Sequence, residues 1–254
     1  MMKRVLKIAG LLLLLPVLGV VALFVVMFAG NPEIPDGQEL EGFARVVKDG
    51  YVSLDVLDAG EGAVVLIDSG TDAEGKIVLA ELKRRGLGPD AVKAILLTHG
   101  HADHVAGCHL FPKAEVMALE ADIPIAEGKA RSNSPILRYV PPADRKVRVT
   151  RALKDGETLQ VGNLAIRVFS IPGHTQGSAA YLVNGVLFLG DSADATKDGK
   201  LVGAKWPVTE SREQNRASLE ALAAKLKPEE VKQLVFSHTG VLPGYAPLRD
   251  FAAN

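Results

Sequence analysis

An α/β fold with two packed sheets and outer helices is the architecture that this sequence predicts. Short apolar runs, many of them β-branched and bounded by Gly, Asp or Pro, recur from residue 43 to residue 236, whereas clear helical patterns are few. Asn184-Gly185 separates two of these runs, which is a strong signal for a tight type I′ hairpin. Many short strands with few helices are best accommodated by two sheets that helices cover.

The individual elements follow from these patterns in chain order. The strand-like runs are FARVVK, YVSLDVL, AVVLI, AILLT, AEVMAL, LAIRVFSI, AAYLV, VLFL and QLVF. A first helix is predicted over about 73–86, where apolar residues recur on one face. A second is predicted over about 211–226, because Ser211 and Gln214 can form a capping box ahead of a buried stripe.

Residues 1–30 predict a transmembrane helix that anchors the chain. Residues 8–32 contain no charged side chain, and basic residues precede them. As a helix, roughly 22 residues at about 1.5 Å each reach about 33 Å, enough to cross a hydrocarbon core of about 30 Å. A signal peptide that is cleaved before secretion is the alternative, although its apolar part is usually shorter. The positive-inside rule leaves the N-terminus in the cytoplasm and the rest of the chain outside it, in the periplasm.

The remaining chain predicts one domain. Residues 31–41, with two prolines, predict a linker, and residues 42–254 predict a single α/β domain. Basic and acidic residues number 29 and 30, so the chain has no electrostatic footprint for nucleic acid. Cys108 is the single cysteine, which excludes an intramolecular disulfide. The expected partners are therefore a small molecule and, through residues 8–30, a lipid bilayer; the oligomeric state stays open.

Polar residues that can bind metal follow the strand-like runs. His99, His101 and His104 come after AILLT, His174 after VFSIP, Asp191 after VLFL and His238 after QLVF. Loops beyond strand ends converge at one edge of a sheet, so these side chains are expected to lie close together.

Imidazole and carboxylate groups are the ligands of zinc sites, and a catalytic site keeps one position open for water. Two sets of three ligands can be drawn from these positions: His99, His101 and His174 for one ion, and Asp103, His104 and His238 for the other. Asp191 can bridge the two ions. The pattern predicts two Zn²⁺ ions, with iron or manganese as alternatives because the same ligands suit them. A hydroxide between two metals about 3.5–4 Å apart is a nucleophile at neutral pH.

The segments THGHADHVAG, PGHT, GDS and the late His238 resemble the metallo-β-lactamase superfamily, whose H-x-H-x-D-H motif is highly specific. The resemblance covers most of residues 43–245. It implies an αββα sandwich with a dinuclear site at one edge. It also implies the two sets of three ligands given above, one set for each ion, with Asp191 as the bridge. Asp68, in VVLIDSG, matches the family's strand-end aspartate, which orients the motif loop without binding metal.

This resemblance implies a hydrolase that attacks a small ester, lactone, thioester or amide through a metal-bridging hydroxide. Asp191 resembles the bridging residue of the glyoxalase-II-like, lactonase-like and phosphodiesterase-like branches more than that of the antibiotic-hydrolysing ones. Asp103 is expected to shuttle a proton. A β-lactam hydrolase, an iron-dependent redox enzyme or dioxygenase, and a non-catalytic metal-binding module are the alternatives.

The substrate pocket is expected to come from segments between the ligands. Residues 119–148 predict a long irregular insertion, and such loops are often lids. Its cations Lys129, Arg131 and Arg138 are candidates to meet an anionic substrate, with a solvated basic surface as the alternative.

Three aromatic residues are further candidates for the pocket. Trp206 is either a pocket wall or part of the core. Tyr181 and Tyr245 are candidates for the tyrosine that the lactonase branch places near its site, with plain packing as the alternative.

Overall fold

The computed structural model describes Gly19 and residues 30–253. The chain divides into two compact units, Met1–Asn31 and Pro32–Asn254, and the second carries the elements described below. Apart from Gly19 and Gly30, the predicted transmembrane helix of residues 1–30 lies outside the described residues. Within the described part, no helix is long and apolar enough to cross a membrane.

The first sheet changes from antiparallel to parallel along its width. Strands β1 to β4 are antiparallel neighbours and β4 to β7 are parallel ones. From one edge to the other the strands are β1 (Glu39–Leu40), β2 (Ala44–Asp49), β3 (Val52–Asp58), β4 (Val64–Ile67), β5 (Val92–Leu96), β6 (Glu115–Leu119) and β7 (Arg151–Leu153).

The second sheet is antiparallel except for the parallel pair β11 and β14. Its strands in spatial order are β15 (Gly240–Pro243), β14 (Gln233–Phe236), β11 (Val186–Phe188), β10 (Ala179–Val183), β9 (Leu164–Ser170) and β8 (Thr158–Val161). A small separate sheet pairs β12 (Ala193–Ala195) with β13 (Leu201–Gly203). Asn184 and Gly185 both have positive φ in the turn between β10 and β11, as a type I′ hairpin requires.

Three apolar clusters show that the sheets form the inner two of four layers. One cluster joins residues of both sheets, such as Val65 and Val168. A second joins the other face of the first sheet to Leu82, in helix α1 (Lys76–Arg84). A third joins the other face of the second sheet to Leu219, in helix α4 (Arg212–Lys225). The predicted α/β sandwich is therefore confirmed.

The remaining helices are short. They are α2 (Ala102–Val105), α3 (Ile123–Ala126) and α5 (Ala246–Ala253). Helix α4 begins as predicted, because the Ser211 hydroxyl accepts a hydrogen bond from the backbone N–H of Gln214 at 3.2 Å. Helix α1 is shorter than predicted: the Asp72 carboxylate binds the N–H groups of Glu74 and Lys76 and holds the preceding residues in a turn.

The sequence missed the shortest strands, and one of them lies in the predicted linker. Within 31–41, Glu39–Leu40 pairs with β2 and Leu40 is fully buried. Short strands are recognisable when they are continuous apolar runs, as β4 and β11 are, but a strand of two to four residues that includes polar or small residues leaves no period-two pattern. The insertion 119–148 forms no strand after Leu119 and contains only short helical turns, as expected.

Candidate metal centre

The predicted ligands lie on loops that follow strands β5, β9, β11 and β14. The motif loop leaves β5 and enters α2, with His101 at the cap of that helix. Gly100 separates the first two histidines, and a Cβ there would lie 2.6 Å from the backbone nitrogen of Ala126. Glycine is therefore required for the motif loop to pack this closely against the insertion.

Three buried imidazoles form one half of the site, which we call the histidine half: His99, His101 and His174. Nε2 of His174 lies 3.2 Å from Nε2 of His99 and 3.1 Å from Nδ1 of His101. Burial lowers the pKa of His99 and His174 well below the usual value, and it lowers the pKa of His101 to about 4. These rings are therefore neutral near pH 7, which is the form that binds metal.

Hydrogen bonds on the far side of the rings fix the tautomers in this half. Thr98 Oγ1 donates to Asp68, so it accepts from Nδ1 of His99 at 3.1 Å. Thr209 Oγ1 donates to a backbone carbonyl, so it accepts from Nδ1 of His174 at 3.2 Å. The Nε2 lone pairs of these two histidines consequently face each other. Facing lone pairs repel unless a cation lies between them, so this half fits a metal ion.

The other half, which we call the mixed half, contains Asp103, His104 and His238. Nε2 of His104 lies 3.9 Å from Asp103 Oδ1, and Nε2 of His238 lies 3.7 Å from Asp103 Oδ2. Nδ1 of His238 donates to the Tyr51 carbonyl at 2.7 Å, which directs its Nε2 into the site.

Asp191 lies between the two halves. Its Oδ2 is 3.0 Å from Nε2 of His238 and 3.8 Å from Nε2 of His174, and its Oδ1 is 3.4 Å from Nε2 of His104. Burial opposes charge on His104 and His238, but Asp191 and the other carboxylates prevail and raise the pKa of both. The carboxylates thus favour positive charge here, which a divalent cation supplies.

The ligand atoms fall into three overlapping groups, and within each group they lie within 4.8 Å of one another. The groups are His99, His101 and His174; His99, His104 and Asp191; and Asp103, His104 and His238. The structure therefore brings together all seven residues that the sequence nominated as ligands. Imidazole and carboxylate donors at these spacings fit a pair of first-row transition metal ions.

Asp68 lies directly behind the motif loop. It has positive φ, and its carboxylate accepts from the backbone N–H and the hydroxyl of Thr98, both at 2.7 Å. Its Oδ2 also accepts from Nδ1 of His104 at 2.7 Å. A carboxylate in this position fixes the tautomer and the orientation of a ligand histidine.

Asp122 is a functional residue that the sequence reasoning missed. Its buried carboxylate accepts from the backbone N–H of Gly100 at 2.6 Å, the Thr175 hydroxyl at 2.8 Å and the N–H of Gly177 at 2.9 Å. It thus joins the two loops that carry the histidine half. Burial raises its pKa to about 6 despite these donors. The one available signal was its position just after strand β6.

Tyr51 packs against a candidate metal ligand, whereas the two tyrosines that the sequence suggested do not. Its ring stacks on His238 with centroids 5.8 Å apart, and it is 42% exposed. The hydroxyl of Tyr181 donates to the Leu97 carbonyl inside the core, and that of Tyr245 donates to the Ala223 carbonyl. The packing alternative holds for both of these residues.

The three predicted cations of the insertion are engaged with the insertion itself. Lys129 pairs with Glu127 at 2.5 Å, Arg131 donates to the Arg138 carbonyl, and Arg138 donates to two nearby backbone carbonyls. Trp206 is 57% exposed, which excludes the core alternative for it.

Comparison with known proteins supplies the family. A family model described as the metallo-beta-lactamase superfamily matches residues 50–238. The chain belongs to this superfamily. The metallo-β-lactamase resemblance of the sequence is thereby confirmed.

Curated relatives of this superfamily member are hydroxyacylglutathione hydrolases. That of Xanthomonas axonopodis pv. citri is 31% identical over 164 residues, which are 64% of this chain and 54% of that protein. That of Dechloromonas aromatica is 32% identical over 182 residues, 72% of this chain and 56% of that protein. The chain spans about half the length of the curated relatives it matches.

Among solved structures, a subclass B3 metallo-beta-lactamase with an active site glutamic acid is similar with a TM-score of 0.65. The two are 23% identical, and the match covers 88% of this chain and 86% of that one. This likeness supports the metallo-β-lactamase fold for the described domain.

Proposed function

We propose that this protein is a dinuclear zinc hydrolase that cleaves a small ester, lactone, thioester or amide. The observation that carries the proposal is the arrangement of Asp191 between two complete sets of three ligand atoms. Thioesters come first among these substrates, because the relatives are named hydroxyacylglutathione hydrolases.

The protein's own groups divide the work. Two bound Zn²⁺ ions would supply Lewis acidity, which lowers the pKa of water and polarises a substrate carbonyl. The histidine half would hold one ion with neutral ligands, and the mixed half would hold the other. Asp103 is part-exposed, so its carboxylate can pass a proton between the site and solvent. The ring of Tyr51 stacks on His238 and so packs against the mixed half.

The location and domain organisation belong to the same proposal. Residues 8–30 would anchor the chain in the cell membrane, and residues 42–254 would lie outside the cytoplasm as the hydrolase domain. A C-terminal alkaline phosphatase fusion tests this orientation, since that reporter is active only outside the cytoplasm. An inactive fusion of normal abundance would contradict it.

Metal content and turnover of the purified full-length chain test the function. Elemental mass spectrometry is expected to find about two zinc ions per chain. The metal-loaded protein should cleave a hydroxyacylglutathione thioester faster than a lactone or the β-lactam nitrocefin, and chelation should abolish this activity. One iron per chain would favour the redox alternative. A preference for nitrocefin would favour the β-lactamase alternative, and no metal after reconstitution would contradict the ligand assignment.

A further inference from the structure

Arg145, near the end of the insertion 119–148, reaches the metal-binding loop. Its Nη1 donates a hydrogen bond to the carbonyl of Gly100 at 2.6 Å. Gly100 lies between His99 and His101, so the guanidinium is fixed beside the histidine half of the site. Arg145 is not among the three cations of this insertion that the sequence predicts to meet substrate, which are Lys129, Arg131 and Arg138.

The electrostatic setting of Arg145 is unusual in the part of the chain that the structure describes. Several other lysines and arginines of residues 30–253 are also only partly exposed, and each has a carboxylate oxygen within 4 Å: Arg45, Lys48, Arg85, Arg167 and Lys205. Arg145 is partly buried as well, yet among these residues it has no carboxylate within that distance. A partly desolvated cation of this kind gains from an anion that arrives with a ligand.

Two acidic residues of the same insertion, Glu127 and Asp144, have other partners. Glu127 binds Lys129 at 2.5 Å and the backbone N–H of Val149 at 3.1 Å. Asp144 accepts from the N–H of Lys146 at 2.9 Å. Burial lowers the pKa of Arg145 and the charge of Asp103 opposes this, but an arginine remains charged at neutral pH in any case.

The backbone at Gly128 packs closely against the base of this side chain. Gly128 has positive φ, and a Cβ there would collide with the Ala143 carbonyl and touch Cγ of Arg145. The bond to Gly100 fixes the other end of the side chain. With Nη1 on that carbonyl, Nε and Nη2 remain as donors, and two parallel N–H groups match the geometry of a carboxylate.

We propose that Arg145 is the substrate-anion site of this enzyme, and that the preferred substrates carry a carboxylate close to the scissile bond. This inference rests on the proposed hydrolase function and adds the substrate class. The insertion 119–148 then contributes a residue that determines substrate specificity, beyond the lid role that its length predicts.

A pair of matched thioesters tests the site: 3-(acetylthio)propionate and its neutral amide, 3-(acetylthio)propanamide. Both release a thiol that a chromogenic disulfide detects. The full-length metal-loaded enzyme is expected to prefer the carboxylate in kcat/KM. Arg145→Gln should raise KM for the carboxylate roughly 10- to 100-fold, the usual range for a charge-assisted bond, and should leave the amide within about twofold.

Two further variants separate a binding role from a structural one. Arg145→Lys keeps the charge but not the fork, so it should recover part of the preference. Arg138→Gln is the matched control, because Arg138 lies in the same insertion and donates only to backbone carbonyls. It should not change the ratio of the two substrates. An equal loss on both thioesters in Arg145→Gln and Arg145→Lys would overturn the proposal.

Binding without turnover distinguishes this inference from the proposed function. Calorimetric titration with 3-mercaptopropionate and 3-mercaptopropanamide is expected to show a preference for the carboxylate that Arg145→Gln removes. If the wild type cleaves neither thioester, no lactone and no nitrocefin but shows this preference, the hydrolase proposal fails and the anion site stands. If it cleaves both without preference, the anion site is wrong and the hydrolase stands.

Discussion

The two halves of the candidate metal centre differ in charge and in how they are held. The histidine half consists of buried neutral imidazoles, whereas the mixed half includes the part-exposed carboxylate of Asp103. A buried aspartate supports each half, but by different contacts. Asp68 binds the ring of His104 directly and reaches the histidine half only through Thr98. Asp122, by contrast, binds only the backbone and a threonine beside the ligands.

This difference indicates which substitutions should weaken metal binding in each half. Neutral ligands leave the charge of a bound cation uncompensated, so the histidine half depends mainly on the precise convergence of its loops. In the mixed half, Asp103 and the neighbouring Asp191 attract a cation by their charge, which depends less on exact distances. Its most sensitive feature is therefore the orientation of His104, which Asp68 fixes. Asp191 belongs to both halves, and its loss should have the largest effect.

Replacing Asp191 with alanine should lower kcat/KM at least about 100-fold, because it removes the carboxylate that links the halves and leaves their cations less compensated. Steady-state hydrolysis of the best thioester measures this, with circular dichroism to verify the fold. Asp198→Ala is the matched control, since Asp198 lies in the exposed turn after the same segment and pairs with Lys200. Activity of the Asp191 variant within threefold of wild type would refute the dinuclear mechanism.

Asp68→Asn should weaken binding at the mixed half by about 10- to 100-fold, the usual cost of losing a carboxylate behind a ligand histidine. Asparagine tolerates the positive φ at this position, so the backbone is preserved. Titration with a chelator that competes for zinc should show one ion released early and the other retained. Release of both ions together would contradict the division into two halves.

Asp122→Asn should have the smallest effect, about three- to tenfold on the affinity of the histidine half. The amide keeps one acceptor oxygen, but its NH₂ group takes the place of the other. That NH₂ group then faces the N–H of Gly100 or of Gly177, and two facing donors repel, so the loops at these glycines separate slightly. In the same competitive titration, the ion of the histidine half should now be released before the ion of the mixed half. An unchanged affinity for the ion of the histidine half would mean that Thr175 and the backbone position this half without Asp122.

The sequence predicted the long strands, both principal helices and the spacing of the ligands, because these signals are local. The type I′ hairpin needs only Asn184-Gly185, and the H-x-H-x-D-H motif places four polar residues on one loop. The missed strands, such as β1 and β7, combine few residues with polar positions, so no apolar run marks them. The metal-ligand assignment itself stays a prediction until metal content is measured.

The sequence by itself determined which side chains could bind metal and that they would follow strand ends. Only the tertiary structure decided what supports them: Asp122 behind Gly100, Arg145 on the Gly100 carbonyl, and Tyr51 on His238. The physical reason is sequence separation. Hydrophobic periodicity reports burial along one element, whereas these contacts join residues that lie 22, 45 and 187 positions apart. The first two form when neighbouring strands of the first sheet pair, and the third forms only when the two sheets pack.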